Sequence, residues 1–143
     1  WAGGLRVVTN HADGHQVHSD MPTELGGSGD QVTPGWLMRA GLASCTATRI
    51  AMAAATEGIT LASLEAEVCS RSDARGLLGM ADTDGTPVTA GPLDMRLRVR
   101  LSAPGIAAER LHALVQACCQ HSPVGSAIET ALPIDVQIEL PPH

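Results

Sequence analysis

"TPGWLMRAGLASCTATRIAMAAATEG", residues 33 to 58, decides how this chain is read. Thr33 before Pro34 is the pattern of a helix cap followed by a residue with no N–H to satisfy. Gly58 can adopt the left-handed conformation that closes a helix. The stretch between them predicts one helix from Pro34 to Glu57. At about 100° per residue, Met38, Cys45 and Met52 share a face flanked by Leu42 and Arg49. Ala43, Ala47, Ile50 and Ala54 fall on the other side. Arg39 and Arg49 are its only charges before Glu57. A helix apolar nearly all round is expected at the centre of a structure, where its alanines let a second helix approach closely.

The flanking segments supply sheet. "GLRVVTNHADGHQVHSD" predicts a hairpin, with Asp13-Gly14 at the turn and short strands at Leu5–Val8 and around His15–His18. "MPTELGGSGDQV" reads as a loop. After the long helix, "LASLEAEVCS" alternates Leu64, Ala66 and Val68 against Glu65, Glu67 and Cys69. A glycine-rich loop, "SDARGLLGMADTDGTPVTAG", follows. "LDMRLRVRLS" then sets Leu93, Met95, Leu97, Val99 and Leu101 against Asp94, Arg96, Arg98 and Arg100, whose arginines are expected to pair with Glu65 and Glu67 on the adjacent strand. "IAAERLHALVQACCQH" is an amphipathic helix with Leu111, Leu114, Val115 and Cys118 inward. A short helix is expected from Pro123 to about Ala131, and "IDVQIEL" is a closing strand. The fold class is α+β in one domain, residues 1–143, with antiparallel sheets around the long helix.

Composition narrows the chemistry. The 143 residues include no Phe or Tyr and only Trp1 and Trp36, so aliphatic residues and alanine must fill the core, with further burial expected from self-association. All nine basic residues are arginine, which excludes Schiff-base and lysine general-base catalysis. A net charge of −6 argues against nucleic acid or an anionic membrane as partner. No signal peptide or spanning helix is expected. Cys45, Cys69, Cys118 and Cys119 lack disulfide-scaffold and CxxC spacing, which fits a reducing, cytoplasmic compartment. His11, His15 and His18 match no regular metal-ligand face, and no metal or cofactor is expected. "GGSG" at 26–29 has no preceding strand and no lysine, so it is no phosphate cradle, and no serine shows a nucleophile-elbow pattern.

Taken together, "HSDMPTELGGSGDQVTPGWLMRAGLASCTATRIAMAA", "RSDARGLLGM" and "ACCQHSPVGSAI" resemble the OsmC/Ohr family of osmotically inducible and organic-hydroperoxide-resistance proteins. The most specific features are a proline-started helix with a cysteine about eleven residues in, and a later helix ending in a turn of Cys-Pro type. The resemblance implies an intertwined homodimer with the cysteine-bearing helices at its centre. It implies that Cys45 is the peroxidatic thiol, attacking the O–O bond of a small organic hydroperoxide to become a sulfenic acid. A thiol reductant would then restore it.

Three positions depart from that pattern. The family's resolving cysteine should precede Pro123, where this chain has Ser122. The glutamate expected after the helix-initial proline is replaced by Gly35 and Trp36. The activating arginine expected from the hairpin has no counterpart in "NHADGHQ", which offers His11 and His15.

Two readings of Cys45 follow from the residues: a small inert core hydrophobe, or a reactive thiol. Because Cys45 lies about three turns into its helix, the helix dipole alone does not acidify it. Arg49, one turn on, is the local cation, to be read as activator or as structural ion-pair partner. Cys118 or Cys119 is a candidate resolver, Cys118 lying four residues before Ser122 and on the same face if the helix persists; otherwise Cys118 packs and Cys119 sits at the helix flank. The functional expectation is a thiol-dependent peroxidase using Cys45 with an atypical or external resolving thiol. The alternative is a non-peroxidase protein of the same fold, or a redox sensor, binding a small apolar or electrophilic ligand in a pocket lined by Trp36, Met38 and Met52.

Overall fold

The computed structural model describes residues 1–141. They form two compact units, the first over Trp1–Ala40 and the second starting at Gly41.

In the first unit, strands β1 (Val7–Asn10) and β2 (Gln16–Ser19) pair antiparallel with Asn10 opposite Gln16. Gly14 supplies the positive φ of the turn at 86°. The loop that follows carries a 3₁₀ turn at Thr23–Leu25 and is organised by the buried carboxylate of Asp20. That carboxylate accepts from the Ser28 hydroxyl, the Met21 N–H and the Arg6 guanidinium, at 2.5, 2.7 and 3.3 Å. These bonds, Ser28's above all, hold its pKa below the ordinary carboxylate value. Gly27 is required here, since a Cβ would stand 1.8 Å from the Met21 carbonyl oxygen. Thr33 caps the next helix as its sequence predicts: its Oγ1 accepts the Trp36 N–H at 3.1 Å.

That helix, α1, spans Pro34–Thr56, one residue short of the predicted end. In its second-unit portion Leu42, Thr46, Ile50 and Ala54 are buried, every fourth residue on one stripe. Gly41, Ser44, Thr48, Ala51, Met52 and Ala55 are exposed. The all-round burial expected of so apolar a helix is therefore not reached within one chain.

Strands β3 (Ser63–Arg71), β4 (Asp94–Ser102) and β5 (Ile134–Glu139) form a sheet in that order. The antiparallel expectation holds for β3–β4, but β4–β5 is parallel. The reason is the connection: helices α3 (Ala108–Gln120) and α4 (Pro123–Glu129) carry the chain back to the end from which β4 began. One face of β4 buries Met95, Leu97, Val99 and Leu101. Leu97, Val99 and Leu101 join Ile50, Ala54, Leu111, Leu114, Val115 and Cys118 in a single core. Leu93, expected on that face, lies before the strand and is exposed.

The other face is a ladder of charges. Arg98 meets Glu67 at 3.3 Å and Glu139 at 3.0 Å, Arg100 meets Glu65 at 3.3 Å, and Arg96 meets Asp135 at 3.0 Å. The pairing with Glu65 and Glu67 is as the alternation predicts; β5 adds a second set of carboxylates, made available by its parallel placement. The glycine-rich loop contains a short helix, α2 (Ala74–Leu77), capped by Asp73, whose carboxylate accepts the Arg75 N–H. At Gly76 a Cβ would lie 1.9 Å from the Thr89 carbonyl oxygen.

Candidate active site

The site is built by one dipeptide, Ser122-Pro123. Proline disfavours a helical backbone in the residue before it, so α3 cannot run through Ser122. Ser122 instead takes an extended conformation (φ −81°, ψ 117°) and becomes the N-cap of α4, with Pro123 as its first residue. The expectation that Cys118 and Ser122 share one continuous helical face therefore fails, because α3 stops at Gln120.

Of the backbone N–H groups freed at the start of α4, that of Gly125 donates to Ser122 Oγ at 3.1 Å, the usual cap bond. That of Val124 favours the thiolate of Cys45. Ser122 Oγ, 1% exposed as a residue, also donates its own proton to Cys45 Sγ across 3.3 Å. One hydroxyl thus accepts from Gly125 and donates to Cys45. Its proton and one of its two lone pairs are both engaged.

The electrostatic result is a thiol held below its ordinary pKa. The Ser122 hydrogen bond contributes most, then the Val124 N–H; partial burial opposes them, and the positive charge of Arg49 adds a smaller lowering. Arg49 is thus a smaller influence on the thiol than the hydroxyl and the amide. Its Nε is buried with no hydrogen-bond partner among the described residues, so the structural ion pair expected of it is not seen at that atom.

Cys118 is placed differently. It is 1% exposed, and its S–H donates to the Arg49 carbonyl at 3.5 Å. Burial pushes its pKa up, only partly offset by Arg49. Cys119 is pushed up to about 11, again mainly by burial. Of the four free cysteines, Cys45 has its pKa lowered and these two have theirs raised. Trp36, Met38 and Met52, expected to line a pocket, are 46%, 38% and 56% exposed in the single chain. Among the described residues no group of three His, Cys, Asp or Glu side chains is arranged to hold a metal ion, and no helix is long and apolar enough to cross a membrane.

The part that sequence reasoning missed is the hydrogen bond from Ser122 to Cys45 and the influence of the Val124 N–H on that thiol. The signal was present in "SPVG", residues 122–125, as a cap sequence; what the cap faces was not.

The model of the family described as OsmC-like protein matches residues 27–137. No curated protein matches the sequence. Solved structures share the fold, among them the following three. A candidate osmotic-stress-induced and detoxification response protein from Psychrobacter arcticus 273-4 superposes with a TM-score of 0.76 at 21% identity, covering 97% of this chain and 91% of that one. An OsmC-like protein from Mycoplasma pneumoniae gives 0.71 at 17% identity, covering 96% of each chain. An organic hydroperoxide resistance protein from Elizabethkingia anophelis, with thiocyanate bound, gives 0.69 at 15% identity, covering 99% of this chain and 98% of that one.

Proposed function

The chain belongs to the OsmC-like family, and from that premise we propose that it is a thiol-dependent peroxidase that reduces small organic hydroperoxides through Cys45. The observation that carries this reading is the 3.3 Å hydrogen bond from Ser122 to Cys45 Sγ, which favours the thiolate in a partly exposed position.

In the first step the Cys45 thiolate attacks the outer oxygen of ROOH. The S–O bond forms as the O–O bond breaks; sulfur is oxidised by two electrons to Cys–SOH, and the departing alkoxide takes a proton to leave as ROH. Return to the thiol requires two equivalents of a reductant. A first thiol attacks the sulfenic sulfur, releasing water and leaving a mixed disulfide. A second displaces Cys45 and departs as the oxidised disulfide. Cys118 and Cys119 are poor candidates for the first of these, since their raised pKa values leave little thiolate near neutral pH. The reductant is therefore a thiol from solution.

The working form is a homodimer. The exposed α1 residues Gly41, Ser44, Thr48, Ala51, Met52 and Ala55 carry no charge, and a second copy seated on them would supply the burial the helix lacks.

The test is intact mass after brief exposure to cumene hydroperoxide, with dimedone present and Cys45→Ser alongside. One dimedone adduct, absent from C45S, is the expected result. No modification at stoichiometric peroxide removes the peroxidase reading and leaves that of a ligand-binding member of the fold.

A further inference from the structure

We infer that Ser122 is a catalytic hydrogen-bond donor to Cys45 and that the sulfenic acid formed on Cys45 has no partner inside the chain. The consequence for turnover rests on the peroxidase reading above; the donor role itself does not.

Three observations carry it. First, the hydroxyl touches the reacting atom, at 3.3 Å. Second, its position is fixed. Gly125 N–H donates to the hydroxyl oxygen at 3.1 Å and Ser126 N–H donates to the Ser122 carbonyl at 2.8 Å, so side chain and backbone are both tied to α4. Third, the space is closed around it. Ser122 is 1% exposed, and a Cβ on Gly125 would approach its Cβ and Oγ to 3.1 Å. A serine whose only task were to start a seven-residue helix would need the bond to Gly125 but not a second one to sulfur.

The two halves of the role have one physical origin. A hydroxyl is a good donor to thiolate and cannot be oxidised by a neighbouring sulfenic acid. A thiol in the same place is a weak donor but would condense with it, forming an S–S bond and releasing water. Ser122 thus favours formation of the nucleophile while leaving its oxidised form for an external thiol. The two cysteines of α3 do not offset this: the Cys118 S–H donates to the Arg49 carbonyl at 3.5 Å, and burial pushes the Cys119 thiol up to about 11.

The donor role is tested without peroxide. The rate of Cys45 alkylation by iodoacetamide is followed against pH in the wild type, in Ser122→Ala and in Ser122→Cys, with every other thiol distinguished by peptide mapping and folding checked by thermal melting. Loss of the donor should raise the alkylation midpoint by about one pH unit, corresponding to roughly tenfold less thiolate below it. Because a more basic thiolate is intrinsically more nucleophilic, the two profiles should cross: S122A slower than wild type at low pH and faster at high pH. A site merely loosened by loss of a cap would have no reason to cross. S122C keeps the size of the side chain and serves if S122A does not fold; it should shift in the same direction.

The second arm adds one equivalent of cumene hydroperoxide. The wild type should retain a dimedone-reactive Cys45 with no internal disulfide. S122C should lose two hydrogens as Cys45 forms a disulfide with the introduced thiol. An unshifted midpoint in folded S122A or S122C overturns the donor role whatever peroxide does. A disulfide from Cys45 to Cys118 or Cys119 in the wild type overturns the absence of an internal partner. A shifted midpoint with no peroxide reaction in any variant upholds the donor and overturns the peroxidase reading alone.

Discussion

The Ser122 hydroxyl donates to Cys45 Sγ across 3.3 Å while accepting from Gly125 N–H at 3.1 Å, so one oxygen both caps a helix and hydrogen-bonds the sulfur. Coupling the two has a cost that can be measured: whatever disturbs the cap disturbs the thiol.

Gly125→Ala tests that coupling from the far side. The new methyl would stand 3.1 Å from both Ser122 Cβ and Oγ, tighter than an ordinary contact, so Ser122 must shift by a few tenths of an ångström. Stability is expected to fall by about 1 kcal/mol, the low end of overpacking costs, and the Cys45 alkylation midpoint to rise. Urea denaturation and the iodoacetamide profile check the two separately. A destabilised protein with an unchanged midpoint would show that the cap and the thiol are independent.

Thr46 gives a prediction of opposite sign. It is fully buried in α1, and its Oγ1 has no hydrogen-bond partner among the described residues. Thr46→Val keeps the shape and removes an unsatisfied polar group, so stability should rise by about 1 kcal/mol. The check is the urea midpoint at pH 7. A lowered midpoint would mean that the hydroxyl acquires a partner in solution.

Cys119 sets an alkaline limit. Its folded pKa is raised to about 11, whereas the unfolded thiol titrates in the ordinary range. Above the unfolded value and below the folded one the unfolded chain releases a proton that the folded chain keeps, so protons are lost on unfolding and stability falls as pH rises. The contribution is fully present below the ordinary thiol pKa and disappears between about pH 9 and pH 11. Denaturation midpoints at pH 8, 10 and 11 should decline less steeply in Cys119→Ala than in the wild type. Equal slopes would remove Cys119 as the cause.

Ala51→Glu tests the dimer. The site lies on the exposed uncharged side of α1, and a carboxylate there costs nothing in a monomer but is unpaired in a covered interface. Light scattering is expected to give a dimer for the wild type and a monomer for A51E. A wild-type monomer at micromolar concentration would remove the homodimer.

What could be read from residues alone was whatever depends on neighbours in the chain. The period-two alternation of Glu65–Val68 and of Met95–Leu101 assigns two strands and their buried faces, because side-chain direction in a strand depends only on position. Thr33-Pro34 and Ser122-Pro123 mark two helix starts, because capping is a local contest for N–H groups. The parallel sense of β4–β5 was not legible, since it depends on where α3 and α4 deposit the chain rather than on the composition of β5. Nor was the role of Arg49, whose place on the helix is a matter of spacing but whose weight against a hydroxyl and an N–H depends on distances.

Cys45 itself shows where the division falls. Its position on a helix, its small neighbours and the Ser122-Pro123 dipeptide are all properties of the sequence. Its acidity is not. A thiol becomes a better anion only when donors are aimed at its sulfur, and Ser122 and Val124 reach it from across the chain, more than seventy residues away. Local rules decide that a hydroxyl will be oriented at residue 122; only the packing of α3 and α4 beside α1 decides that it points at sulfur.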